Sequence, residues 1–309
     1  MAEKATLIAG VETEASRAGA RAGLVYGLAA YTMWGVFPLY FHLVAHVPPV
    51  VVLCHRIVWS VLFLGVVVSV RREWKAIWPI LRNPRNLALL CVGSALIALN
   101  WLLFIYAVGS GQTLQASLGY FINPLLSVVL GMVFLRERLR RWQWVATIIA
   151  TMAVANLTLR GGSFPWLAVS LALTFGFYGL VRKTVDINSL HGLLVETAIL
   201  LPLAVAKLVW WPAPGISPGT FGILSLAGIL TAVPLLLFGA ALRRLPLSMI
   251  GFLQYIGPTL QFLMAVCVLR EPLDRAKLGS FGLCWLGIAV YVADSLFSRR
   301  PQPVADEPE

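Results

Sequence analysis

An all-α polytopic membrane protein is the fold class this sequence predicts, with ten transmembrane helices arranged as two inverted five-helix repeats. Three observations predict it. The 309-residue chain is 59% apolar and only 12% charged, with a mean hydropathy of +0.84. A soluble domain is about a quarter charged, and its single core could not absorb so many apolar segments. The apolar residues fall into ten long runs, each close to the roughly 17–25 residues a helix needs to cross hydrocarbon. Finally, the second half repeats the first. Leu-Gly-Tyr-Phe-Ile-Asn-Pro ending at Pro124 returns as Leu-Gln-Tyr-Ile-Gly-Pro ending at Pro258, and Leu135-Arg136-Glu137 returns as Leu269-Arg270-Glu271, each 134 positions later. The register reaches back through Phe104 and Phe238, and Ala107 and Ala241. Duplicated hydrophobic halves are the mark of chains whose site forms where the halves meet.

Residues 1–21 form a polar N-terminal tail, with Glu3, Lys4, Glu12, Glu14 and Arg17 and no apolar core of the kind a cleavable signal requires. The first repeat, 22–159, holds runs at 22–44, 50–70, 86–108, 113–135 and 142–159. The second, 160–297, holds runs at 165–181, 191–210, 220–241, 246–269 and 277–297. Strict apolar/polar alternation is missing from these runs, which excludes membrane strands. Residues 298–309 are polar, proline-rich and expected to be a disordered cytoplasmic tail.

The net charge of +11 does not gather into a basic face interleaved with aromatics, so no nucleic-acid partner is expected. It punctuates the gaps between runs. With the N-terminus in the cytoplasm, 18 of the 24 Lys and Arg fall on cytoplasmic segments and 5 on outer ones, with Arg56 inside a span. The positive-inside rule therefore predicts both termini in the cytoplasm. Five spans per half is odd, so the second half enters the bilayer upside down relative to the first.

Arg56 and Glu196 are the Lys, Arg, Asp or Glu residues well inside the runs. Each costs roughly 2.5–3.5 kcal/mol on insertion scales, so each is expected to face the protein interior or a watery cavity. A second register of the repeat, 141 positions, matches Gly35 with Gly176 and Phe37 with Tyr178 and sets Glu196 opposite His55. Inversion leaves Arg56 and Glu196 about 10 Å apart in depth within a ~30 Å core, so a direct pair is not required. A substrate or proton site and a structural ion pair are both open readings. His55 and Glu196 are the candidate proton-coupling groups, since a histidine can titrate near neutral pH.

On the fourth run Tyr120, Asn123 and Pro124 share a face; on the ninth Gln254, Pro258 and Gln261 do, beside Tyr255. Pro124 and Pro258 are expected to break their helices at matching positions and free carbonyls toward a cavity. Asn100, Trp34, Tyr106 and Tyr178 add an amide and aromatic walls. Trp101, Trp142, Trp144, Trp210 and Trp211 are read as interfacial anchors. Gly23-x-x-x-Gly27 and Gly176-x-x-Gly179 read as close helix contacts. Cys54, Cys91, Cys267 and Cys284 lie in apolar runs without metal or disulfide spacing and read as buried thiols.

Several stretches resemble the drug/metabolite transporter superfamily, specifically the EamA family and its RarD-like branch. They include Trp34-Gly35-Val36-Phe37-Pro38, His55-Arg56-Ile57-Val58-Trp59-Ser60, Asn100-Trp101, Ser117-Leu118-Gly119-Tyr120-Phe121-Ile122-Asn123-Pro124, Phe175-Gly176-Phe177-Tyr178-Gly179, Glu196-Thr197 and Leu253-Gln254-Tyr255-Ile256-Gly257-Pro258. The match runs from about residue 23 to 296. The resemblance implies a ten-helix inverted-repeat carrier of the bacterial inner membrane that moves a small metabolite or drug-like solute, in most such families outward. No Walker, HExxH or GxSxG string is present, so no cofactor, metal or hydrolytic activity is expected. The expected partners are a small-molecule substrate, the lipid bilayer and a proton, with a homodimer left open. A non-transporting receptor or assembly protein on a carrier-like scaffold is the alternative, since fold alone does not separate the two.

Overall fold

The computed structural model describes residues 2–135, 141–161, 164–185, 187–242, 244–245 and 253–297. The arginine-rich segment 136–140, the start of the ninth run at 246–252 and the C-terminal residues 298–309 lie outside the described residues. Every regular element among the described residues is helical. They are α1 Ala2–Leu43, α2 Pro49–Val70, α3 Trp74–Arg82, α4 Pro84–Gly109, α5 Thr113–Leu135, α6 Arg141–Gly161, α7 Trp166–Thr184, α8 Ser189–Trp210, α9 Pro218–Ser225 and α10 Ala227–Leu242. After them come α11 Ile256–Leu263, which runs into a π-turn at Met264–Val268, and α12 Arg275–Phe297. Five stretches are long and apolar enough to cross a membrane: Gly19–Leu43, Pro49–Val70, Pro84–Gly109, Ser189–Trp210 and Pro218–Ala241. Trp144–Arg160, Trp166–Arg182 and Ile256–Val268 are shorter apolar helices.

The helix ends follow local chemistry. Proline occupies the first turn of α2, α4 and α9, where the missing N–H is one the helix could not have paired. Asn83 accepts from the N–H groups of Arg85 and Asn86, both at 3.1 Å, to open α4. Asn188 accepts from Leu190 at 3.0 Å to open α8, and Ser217 from Thr220 at 3.1 Å to open α9. The start of α5 is capped from far along the chain: the Glu271 carboxylate accepts from Thr113 N–H at 2.7 Å and Leu114 N–H at 2.9 Å.

The helices add three features to the runs. Residues 2–21 form the first turns of α1, which passes without interruption into the first apolar run. The second and third runs are joined by the nine-residue α3, which buries Ile77 and Ile80 while Trp74 and Trp78 face outward. The eighth run is long and apolar enough to cross a membrane and carries a one-residue interruption of its helix at Leu226. Just after that break the backbone of Gly228 lies so close to Trp59 that a Cβ would strike the Trp59 carbonyl.

Packing is dominated by contacts between the two halves of the chain. The most extensive join α6 with α12, α5 with α7, α2 with α8, α1 with α10, α4 with α7, α2 with α10 and α1 with α11. Glycines set several of these approaches. Gly23 faces Arg244 and Leu245, Gly27 faces Leu253, and Gly176 faces Leu126 and Leu130, whereas Gly179 has nothing beside it. Of the cysteines only Cys54 and Cys284 are buried; Cys91 and Cys267 lie on the outer surface. A helix that is apolar on every side carries no signal of which face meets its neighbours.

Candidate functional site

Two buried charged centres lie at the contacts between the halves. The first is Arg56 on α2, 5% exposed. Its Nε–H donates to Thr231 Oγ1 on α10 at 2.9 Å, and the Thr231 hydroxyl in turn donates to the Ala227 carbonyl at 2.7 Å. The guanidinium lies over the ring of Trp101 on α4, 4.1 Å from its centroid, with Phe41 at 5.7 Å and Phe37 at 6.0 Å. Aromatic faces attract a cation most strongly when it is desolvated, as it is here. Trp101 is therefore buried beneath Arg56 and is not an interfacial anchor; Trp142, Trp144, Trp210 and Trp211 are exposed.

The second centre is Glu196 on α8, fully buried. Tyr178 OH donates to its Oε2 at 3.0 Å, and Arg182 Nη1 stands 3.7 Å from Oε1. Ser94 Oγ donates to the Glu196 main-chain carbonyl at 3.1 Å. Two glycines make the room. A Cβ on Gly93 would come within 2.9 Å of Glu196 Oε1, and one on Gly192 would collide with the Arg182 guanidinium. Tyr178 and Arg182 stand one turn apart on α7, as Gly192 and Glu196 do on α8, so each helix presents its pair on one face.

Arg56 and Glu196 do not pair with each other. Trp101 marks the level of Arg56 on α4 and Ser94 that of Glu196, seven residues apart, or about 10 Å along the helix. Aromatic rings bridge that gap without a break. Phe41 meets Phe104 at 5.7 Å, Phe104 meets Tyr120 at 5.8 Å, Tyr120 meets Phe175 at 6.0 Å and Phe175 meets Tyr178 at 6.1 Å between centroids. Asn100 holds the middle of this wall. Its Nδ2 donates to Leu171 O at 3.0 Å and Thr174 Oγ1 at 2.9 Å, while its Oδ1 accepts from Tyr120 OH at 3.1 Å.

The remaining candidates are placed elsewhere. Trp34 stacks with Tyr31 and Phe238, and its carbonyl accepts from Gln261 Nε2 at 3.2 Å. The Gln261 Oε1 and Asn123 Oδ1 atoms are buried without a hydrogen-bond partner among the described residues. His55 turns away from Arg56 and packs edge-on against Phe221 of α9 at 5.6 Å, so it is not brought to Glu196. Tyr106 is 41% exposed and lies against Trp166. Gln254 and Tyr255 form the turn ahead of α11 and are half-buried. Pro124 does not break α5, which continues through it; a single missing N–H is tolerated where packing holds both sides of a membrane helix. Pro258 sits in the first turn of α11, after the interruption at Gln254 and Tyr255, and its carbonyl accepts from Ser117 Oγ at 2.8 Å.

Sequence reasoning missed Arg182, Thr231, Trp101 and the glycines at 93 and 192. In the sequence Arg182 reads as a charge that sets topology, because it follows the end of the sixth run next to Lys183. The one available signal was the spacing of Gly192 and Glu196 at i and i+4. A hydrogen bond between His191 Nε2 and Glu73 Oε2 at 2.9 Å ties the start of α8 to the residue before α3.

A family model described as the EamA-like transporter family matches residues 21–159. An uncharacterized transporter of Pseudomonas aeruginosa is 45% identical over 295 residues, covering 93% of this chain and 99% of that protein. A protein of Escherichia coli called Protein RarD is 44% identical over 286 residues, covering 91% of this chain and 97% of its own. A solved crystal structure, 18% identical, superposes with a TM-score of 0.60 over 90% of this chain and 99% of that one, which shows a shared fold.

Proposed function

This chain belongs to the EamA-like transporter family, in its RarD-like branch, and on that premise we propose that it is a secondary transporter moving a small metabolite or drug-like solute by alternating access. A multi-pass membrane protein with transporter-type relatives, and not an enzyme, is the frame. Within it, residues 22–159 and 160–297 are two EamA-like repeats of five transmembrane helices, inverted relative to each other. Both termini face the cytoplasm, transport runs outward across the bacterial inner membrane, and the proton is the coupling ion, with Glu196 as its carrier.

The pattern of packing supports the repeat. Exchange α1 with α7, α2 with α8, α4 with α9 and α10, α5 with α11, and α6 with α12. The α1–α10 contact then becomes α4–α7, α5–α7 becomes α1–α11, and α2–α10 becomes α4–α8, all of which are present. The α2–α8 and α6–α12 contacts map onto themselves. One glycine contact repeats as well: a Cβ on Gly35 would come within 2.5 Å of Leu260, and one on Gly176 within 3.0 Å of Leu126. Leu126 and Leu260 are related by the same 134 positions as the prolines.

The observation that carries the transport reading is the pair of buried, oppositely charged centres joined by an aromatic wall. Each centre is costly to bury in a membrane, and intramembrane ionisable residues mark substrate and ion pathways. Neither is placed like a catalytic group, since no nucleophile and base stand together among the described residues. The test is solute flux in proteoliposomes, with a metabolite and drug library inside and a pH gradient of either sign across the membrane. At least one solute should leave wild-type vesicles faster than protein-free ones and respond to the gradient. Flux that ignores the gradient removes proton coupling; no flux of any solute removes the carrier.

A further inference from the structure

Among the described residues Arg56 is a buried cation without a counter-charge. Among the described residues Glu196 is matched by Arg182, Glu73 by His191 and Asp274 by Lys277, while Glu271 is spent on the start of α5. Among the described residues no carboxylate stands within ion-pair distance of Arg56. Thr231 accepts only its Nε–H, and the hydroxyl's own hydrogen is committed to Ala227. A neutral acceptor fixes the plane of the guanidinium and does not neutralise it. The two terminal nitrogens donate to no described residue, yet they are the edge of the guanidinium fork that matches a carboxylate. Below that fork lies Trp101, and beside it stand Phe41 and the run of rings leading to Tyr178.

We propose that Arg56 is the anchor for a small organic monoanion, a carboxylate carried on an apolar or aromatic body. Its two oxygens bridge the terminal nitrogens of Arg56, and its body lies along the wall of Trp101, Phe41 and Phe104 toward Tyr120. This deepens the transport reading and rests on it for the statement that the ligand is cargo. The charge balance selects the class. An arginine stays protonated, so a neutral solute would leave its charge buried and unmatched. A dianion such as phosphate would bury a second negative charge with no cation for it. An acetate-sized anion would pair with the fork but carries no apolar body to lie against these rings.

The experiment compares 3-phenylpropionate with its uncharged isostere 3-phenylpropanamide, and with acetate and inorganic phosphate, on the purified full chain. The readouts are calorimetric titration and ligand-induced thermal stabilisation. The wild type should bind 3-phenylpropionate at least about tenfold more tightly than the amide, acetate or phosphate, a tenfold ratio being the smallest clear of measurement scatter. Arg56→Gln should erase the preference for acid over amide. Arg56→Lys, which keeps the charge and loses the fork, should weaken it, as should Thr231→Val. Equal binding of acid and amide, binding of neither, or a preference that survives Arg56→Gln would each overturn the proposal. If Arg56→Gln does not fold, the wild-type comparison decides by itself. Flux of the same acid and amide in proteoliposomes separates this failure from failure of the transport reading. Equal flux of both sinks the anion site and leaves a carrier; tight, Arg56-dependent binding without flux keeps the anion site and sinks the carrier.

Discussion

Glu196 is held in a space that two glycines make, and this sets what single substitutions should do. Gly192→Ala places a methyl where the Arg182 guanidinium lies, so Arg182 must leave Glu196 or α7 must shift. A loss of about 1–3 kcal/mol in thermal stability is expected, the usual range for overpacking. If the damage is the expulsion of Arg182, adding Arg182→Ala to Gly192→Ala should cost little more, and a thermal double-mutant cycle checks this. Fully additive losses would mean that the glycine and the arginine act separately. Glu196→Gln keeps an acceptor for Tyr178 OH and should leave insertion and folding intact while proteoliposome flux is lost. Normal flux in that variant would remove Glu196 from the mechanism. These assignments show how far single residues could be read from sequence. Arg56 and Glu196 stood out because an ion in hydrocarbon must be satisfied. Arg182 did not, because at the end of a helix it is indistinguishable from a topological charge. Trp101 did not either, because nothing in a linear sequence tells an anchoring tryptophan from one buried under a cation.

At the scale of elements, the repeated Leu-Arg-Glu string acquires a physical role. In its second copy Glu271 follows the π-turn at Met264–Val268 and reaches back across the molecule to the first two N–H groups of α5. A carboxylate at a helix N-terminus both accepts orphan hydrogen bonds and meets the positive end of the helix dipole. Glu271→Ala should lower stability by about 1–2 kcal/mol, measured as a shift in thermal unfolding, and Glu271→Gln by less, because the amide keeps one acceptor. An unchanged unfolding temperature in Glu271→Ala would show that the cap is dispensable. The string was legible only as a mark of duplication, since its partner lies 157 residues away in sequence at Leu114 and 158 away at Thr113. The long apolar helices were legible from run length alone. The amphipathic α3, the split at Leu226 and the continuity of α5 through Pro124 were not, because each depends on what the neighbouring helices supply.

For the whole molecule, the inverted arrangement makes a topological prediction. Reporter fusions after Arg141 and Arg244 should report cytoplasm, and one after Asp274 should report the outside, following the 18-to-5 partition of Lys and Arg. A cytoplasmic signal at Asp274 would remove the inversion. What remains to be separated is a carrier from a receptor built on the same scaffold, and that requires no knowledge of the substrate. Phe175 lies between Tyr120 and Tyr178 on the wall joining the two charged centres. Placed as Phe175→Cys in a chain whose four native cysteines have been replaced, it can be probed with a membrane-impermeant maleimide in right-side-out and in inverted vesicles. Alternating access predicts labelling from both sides of the membrane, with a ligand that favours one conformation suppressing one of the two. Labelling from one side alone, under every condition, would contradict the carrier and leave the receptor.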